Sequence, residues 1–188
     1  DDGIRALVRT RGLGDVYKRQ GLANCASGVA PMTADDERAL EDALTAILDT
    51  VSHMLVADGE GASKVIHIKV SGAADDDEAE LVARSVGHSQ LVKTAIYGGD
   101  ANWGRIVTAV GYSGAIFDPD KVSLFLCGIE RFRKGQPVNE EMEPELAERL
   151  KAKDVDVDIV LGSGPGCYSL QASDLGHEYV SLNADYRS

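Results

Sequence analysis

Lys64-Val65-Ile66-His67-Ile68-Lys69-Val70 alternates its side chains with a period of two. Ile66, Ile68 and Val70 fall on one face, and Val65, His67 and Lys69 on the other. That is the pattern of a half-buried strand. Working upstream, Leu40, Leu44, Ile47, Leu48, Val51, Met54 and Leu55 recur at three- and four-residue spacing, which predicts a long amphipathic helix. Thr33 with Asp36 three residues on forms a capping-box-like start, with Asp in place of Glu. Asp35, Asp36 and Glu37 suit the positive end of the helix. The helix stops before Asp58-Gly59-Glu60-Gly61, a turn whose glycines permit backbone angles other residues avoid. A helix, a glycine turn and a half-buried strand in succession point to an α/β layered domain.

Downstream the same alternation of elements continues. Ala73 to Glu80 leads into a second helix, with Ala79, Val82, Ala83 and Val86 on one stripe. Leu91 to Tyr97 reads as a short strand or extended stretch. Asn102 can cap a third helix carrying Ile106, Val107 and Val110. Val122 to Leu126 is a strand, and Arg133-Lys134-Gly135-Gln136-Pro137 a turn. Pro144 opens a further helix, where its missing N–H costs nothing. Val155, Val157 and Ile159 alternate with Asp156 and Asp158, a strand with one wet face. Tyr168 to Ser173 and Glu178 to Asn183 read as closing strands.

The 188 residues suffice for one domain with a sizeable core. A net charge of -12 argues against a nucleic-acid-binding surface, since phosphates would find little to neutralise them. No apolar run has the length to cross a bilayer, and no stretch has the order of a signal peptide, so a cytoplasmic protein is expected. Cys25, Cys127 and Cys167 are odd in number and widely spaced, which disfavours a disulfide framework or a zinc site. His53, His67, His88 and His177 form no metal spacing in sequence, and no metal is expected.

Residues 1–20, DDGIRALVRTRGLGDVYKRQ, show neither helical nor strand periodicity. They are basic where the rest of the chain is acidic. Asp15 to Gln20, DVYKRQ, is what the transposon-end sequence GAT GTG TAT AAG AGA CAG encodes, so the segment reads as a translated sequencing adapter. The expected organisation is therefore a non-native segment, 1–20, followed by a natural domain, 21–188, whose upstream part is missing.

Three segments could carry chemistry. Asp58 to Lys64 packs two carboxylates, a hydroxyl and a lysine into a glycine turn at a helix–strand junction, where sites are commonly built. A plain helix stop is the competing reading. Gly98 to Arg105 holds the lone tryptophan, an arginine able to pair a carboxylate in two-pronged fashion, and the free N–H groups of a helix start. Trp103 packed in the core and Asn102 acting as a cap is the plainer account and the favoured one. The third segment is the tail, Asn183 to Ser188.

Leu22-Ala23-Asn24 with Ala26-Ser27-Gly28, then Asp58-Gly59-Glu60-Gly61-Ala62-Ser63-Lys64, then Ser89 to Ala95 (SQLVKTA) form the first half of a longer series. Gly99-Asp100-Ala101-Asn102-Trp103-Gly104-Arg105-Ile106 and Asp174-Leu175 with Tyr179 to Ser188 complete it. In this order they resemble the ornithine acetyltransferase family, the bifunctional glutamate N-acetyltransferases of arginine biosynthesis. The resemblance runs from Leu22 to Ser188 and corresponds to the C-terminal, β-chain part. It implies a layered αββα-type sandwich. It implies a precursor that cleaves itself, leaving a nucleophilic threonine at the start of the β chain. N-acetylornithine acetylates that threonine and glutamate then takes the acetyl group, in two covalent steps. In some members acetyl-CoA also donates, as a substrate; no cofactor is implied.

Carried over by motif position, Glu60 lies beside the nucleophile and contacts substrate, while Asn183 and Ser188 hold the amino-acid end of the substrate. Ser188 stands where threonine is common, Ala101 where proline is common and Cys25 where glycine is common. The nucleophilic threonine, the oxyanion donors and the lysine before the cleavage point belong to sequence upstream of Gly21. No catalytic residue is therefore expected within 21–188, and the chain is expected to be inactive without the α chain of its precursor, with which it would form a hetero-oligomer. Two other readings are a non-catalytic binding or scaffold module and a related self-cleaving aminopeptidase. The Gly99–Ile106 and Asn183–Ser188 motifs argue against the aminopeptidase.

Overall fold

Strand β1 (Val65–Ala73) keeps the alternation of its sequence: Ile66, Ile68 and Val70 are buried and Lys69 is exposed. The computed structural model describes residues 28–185. The chain divides into two compact units, residues 1–51 and 52–188.

In the second unit β1 lies inside a six-stranded sheet. The other strands are β2 (Ser123–Leu126), β3 (Ile129–Arg133), β4 (Gln136–Pro137), β5 (Asp154–Val160) and β6 (Gly166–Ser173). Their order is β4-β3-β2-β5-β1-β6. β1 and β5 run parallel, with Ile66 beside Val155, Ile68 beside Val157 and Val70 beside Ile159. The other pairings are antiparallel. This register places Ile66, Ile68 and Val70 of β1 and Val155, Val157 and Ile159 of β5 on one face, because successive side chains of a strand alternate.

The apolar face is covered by helix α2 (Asp76–His88), whose Ala79, Val82, Ala83 and Val86 are fully buried. Small residues let this helix sit close. A Cβ added at Gly87 would lie 2.7 Å from Leu170 and 3.3 Å from Ile68. Each fully buried Val, Leu or Ile of this layer contributes about 1.5–3 kcal/mol relative to exposure. Helices α3 (Gln90–Gly98) and α4 (Trp103–Gly111) extend the core with Val92, Ile96, Ile106 and Val110. Helix α5 (Glu143–Arg149), with Pro144 in its first turn as expected, adds Leu146. The class is layered α/β; the second sheet that a full sandwich implies is not among the described residues.

Helix α1 (Ala34–Ala57) begins as its sequence predicts. The Asp36 N–H donates to Thr33 Oγ1 at 3.1 Å and the Thr33 N–H to Asp36 Oδ2 at 3.0 Å, a reciprocal capping box. These bonds hold the Asp36 carboxyl below its ordinary pKa. None of the helix's residues is buried, and Leu40, Leu44 and Ile47 stay roughly half exposed or more.

Two stretches expected as strands are helices. Leu91 to Tyr97 belongs to α3, where Val92, Ala95 and Ile96 are buried at helical spacing. Ser89 caps its start and Gly99, at φ 67°, closes its end. Glu178 to Asn183 belongs to α6 (His177–Asp185). Its Tyr179, Val180 and Leu182 are all exposed, so no sheet face selects a pleat there. Strands β3 and β4 were not expected. Cys127 and Gly128 both take positive φ, 50° and 77°, the geometry of a two-residue hairpin turn between β2 and β3. The Arg133–Pro137 segment turns at Lys134 and Gly135, as read, and joins β3 to β4. Residues 1–20, and Cys25 beyond them, lie outside the described residues.

Candidate functional site

The glycine turn after α1 is held from below by a buried carboxylate. Asp174, 3% exposed at the end of β6, accepts the Ser63 N–H at 2.8 Å and the Ser63 hydroxyl. The Asp174 N–H in turn donates to Lys64 O at 3.1 Å. Lys64 Nζ donates to Ile96 O at 2.7 Å, tying the turn to the end of α3. Burial lowers the pKa of Lys64 and of Lys93, and the nearby Asp174 charge partly restores both. A buried carboxylate between two partly desolvated ammonium groups is the compensated arrangement that low dielectric demands.

Gly61 has no substitute at its position. Its φ is 68°, and a Cβ there would lie 2.3 Å from the Tyr179 backbone N. The turn therefore passes directly beneath the first residues of α6. That contact brings Glu60 to Asn183: Asn183 Nδ2 lies 3.4 Å from Glu60 Oε2 and 2.9 Å from Tyr179 O. Both side chains belong to exposed residues, so the pair presents a carboxylate and an amide to solvent.

The remaining motif segments brace this corner. Leu175 N donates to Lys93 O at 3.3 Å, joining SQLVKTA to Asp174-Leu175. Tyr97 meets His177 edge-on at 5.7 Å. In the Gly99–Ile106 segment, Asn102 Oδ1 accepts the Arg105 N–H at 3.2 Å and caps α4, while Trp103 stacks on Phe132 at 5.5 Å. Arg105 donates to Leu91 O and to Thr94 Oγ1. The plainer account of this segment, a cap and a packed tryptophan, is the one its geometry fits.

Of the three carried-over residues, Glu60 and Asn183 come together across 123 positions of sequence. Ser188 lies outside the described residues. Asp174 and Lys93 fall within the motif segments, and only their depth reveals a role for them. Cys127 and Cys167 are free thiols, and burial pushes the Cys127 thiol up, away from thiolate chemistry.

A second cluster was not legible at all. His53 on α1, His67 on β1 and Asp154 on β5 converge: His53 Nε2 lies 2.7 Å and His67 Nε2 2.8 Å from Asp154 Oδ1. The two histidines carry no ligand spacing in sequence, and each is far along the chain from the carboxylate, 101 and 87 positions.

The sheet, its covering helices and a polar corner where β1, β6 and α6 meet define a layered α/β protein with a candidate small-molecule site. Residues 20–188 match the model of the ArgJ family. The chain is 61% identical over 168 residues to the arginine biosynthesis bifunctional protein ArgJ of Nitratidesulfovibrio vulgaris, covering 89% of this chain and 42% of that protein. It is 45% identical to the ArgJ protein of Syntrophotalea carbinolica, covering 89% of this chain and 43% of the relative. Among solved structures, the Bacillus halodurans arginine biosynthesis bifunctional protein ArgJ is similar with a TM-score of 0.76 and 37% identity, over 84% of this chain and 74% of that one. The chain belongs to the ArgJ family. It spans well under half the length of the curated relatives it matches, 42% and 43% for these two.

Proposed function

We propose that this chain is the β-chain part of a glutamate N-acetyltransferase of arginine biosynthesis, working in the cytoplasm with the α chain of its precursor. In the proposed reaction a threonine oxygen attacks the acetyl carbon of N-acetylornithine. The amide C–N bond breaks, ornithine leaves with the proton on its amine, and a threonine ester remains. The amine of glutamate attacks that ester, forms N-acetylglutamate and returns the proton to the threonine oxygen. No cofactor is called for, and acetyl-CoA would enter only as an alternative acetyl donor. Glu60 supplies negative charge for the cationic amine of ornithine. Asn183, with Ser188, would hold the amino-acid end of the substrate by hydrogen bonds. No nucleophile is assigned within 21–188, so the chain alone transfers nothing.

The observation that carries this reading is the Glu60–Asn183 contact at 3.4 Å, which unites two distant motif segments at one exposed corner. A helix stop alone would not require it. The test is co-expression with the N-terminal part of the Nitratidesulfovibrio vulgaris relative, followed by assay of acetyl transfer from N-acetylornithine to glutamate. The pair should turn over and the isolated chain should not. Glu60→Gln keeps size and hydrogen bonding but removes the charge. It should lower kcat/KM by roughly tenfold to a thousandfold, about 1.4–4 kcal/mol, with the fold intact. Glu140→Gln, in the exposed turn Glu140–Met142, is the control and should change little. Normal kinetics for Glu60→Gln would reduce the turn to a helix stop.

A further inference from the structure

We propose that His53, His67 and Asp154 form a binding site for one divalent transition-metal ion, of the zinc or cobalt type, independent of the acetyl-transfer corner. The three residues come from three elements, and each offers one ligand atom. Those atoms all lie within 4.8 Å of one another. The imidazole rings are nearly parallel, 13° apart with centroids at 5.6 Å, and both Nε2 edges point at the same carboxylate oxygen.

The donor set is the right chemistry. Two neutral imidazoles and one carboxylate suit zinc and its neighbours in the first transition row, and three protein ligands leave coordination positions for water. The size is right as well. Metal–ligand bonds near 2.1 Å place tetrahedral ligand atoms roughly 3.4 Å apart. The Nε2 to Oδ1 separations of 2.7 and 2.8 Å are shorter, so the carboxylate must retreat by roughly 0.6–0.7 Å to reach that spacing. It is free to do so, since the Asp154 side chain is 54% exposed. Each imidazole can offer its Nε2 lone pair to an ion when its ring proton sits on Nδ1.

The scaffold is fixed before any ion arrives. Val65 and Asp154 are paired neighbours in the parallel β1–β5 ladder, and the Val65 N–H donates to Lys153 O at 2.7 Å. His67 stands two residues along β1 on the same face as Val65, and His53 reaches the cluster from the last two turns of α1. A bound ion would clip the end of α1 to the ends of the two central strands. This is a structural role, and it adds stability because the site exists only in the folded chain.

The experiment is a Co2+ titration of the full chain carrying no histidine tag, read by visible absorption and by thermal unfolding. One equivalent should bind saturably, give d–d bands without a sulfur-to-cobalt charge-transfer band, and raise Tm. His53→Ala and His67→Ala should each weaken binding by at least about tenfold, since loss of a mere supporting partner already costs that much. Both should abolish the Tm rise. His88→Ala, at the exposed end of α2, should bind as the parent does. Should either alanine variant fail to fold by circular dichroism, Asp154→Asn, which keeps an oxygen acceptor but loses the charge, replaces it. No saturable binding by the parent, a thiolate band pointing to Cys127 or Cys167, or unchanged binding in the cluster variants would each overturn the site.

Discussion

β5 carries Val155, Val157 and Ile159 on one face and Asp154, Asp156 and Asp158 on the other, and the two faces obey different rules. On the first, the paired residues of β1 and β5 are all buried, and β1 lies against the small-residue stripe of α2. On the second, His67 and Lys69 stand among the aspartates and are partly or fully exposed, although Val65 beside them is buried. The first face is where stability is made by removing area from water. The second is where side chains keep the freedom to bind something. One strand thus serves structure and chemistry on alternate residues.

The sharpest way to break this comparison uses adjacent residues of β1. Ile68→Ala should cost about 2–5 kcal/mol, the usual range for emptying a packed site. Lys69→Ala should stay within about 0.5 kcal/mol. Urea denaturation of both measures the difference, and an equal loss at Lys69 would mean that the polar face is packed after all.

The next effect tests a charge that is buried rather than displayed. Asp174→Ala leaves the Ser63 N–H and hydroxyl without their acceptor and removes the compensating charge beside Lys93. A loss of about 1–3 kcal/mol is expected. Ser63→Ala, which removes only the hydroxyl, should cost less. If the two variants are equally stable, Asp174 does not anchor the turn.

The smallest effect lies on the polar face. Burial, with Asp156 adding to it and Lys69 opposing, raises the Asp158 pKa above its ordinary value of 3.8. Ionised Asp158 is therefore a penalty in the folded state. That penalty is full above the raised pKa, shrinks as pH falls through it, and is gone below 3.8, where both states are protonated. Asp158→Asn, always neutral, should gain well under about 1 kcal/mol at pH 7, because the site is largely solvated. The gain should vanish near pH 3. A pH series of denaturation midpoints decides it, and a gain that persists at pH 3 would have another cause.

Much of the apolar face was legible because period-two alternation in β1 and β5 and the stripe of α2 are direct consequences of burial. The capping box of α1 was legible because its hydrogen bonds are local. β3 was hidden by Arg131, which points inward at 3% exposure and donates to Asn139 O and Glu143 Oε2, so the apolar alternation is interrupted. Its hairpin turn, Cys127-Gly128, lacks the Asn-Gly or Asp-Gly signature such turns usually show. α3 and α6 are short, and a few apolar residues at spacings of one to four fit either period. For the candidate site, Glu60 and Asn183 were reached through motif resemblance, whereas Asp174, Lys93 and the His53–His67–Asp154 cluster needed three-dimensional distances.

Both neighbours of β1 in the sheet, β5 and β6, come later in the chain. As the polypeptide leaves the ribosome, β1 emerges with neither edge paired. Val65 meets its partner Asp154 only after about ninety further residues, some five to twenty seconds at ordinary elongation rates. For that interval α2, which follows directly, can shelter the Ile66, Ile68 and Val70 face. The helix that covers the finished sheet is also the earliest guardian of its central strand.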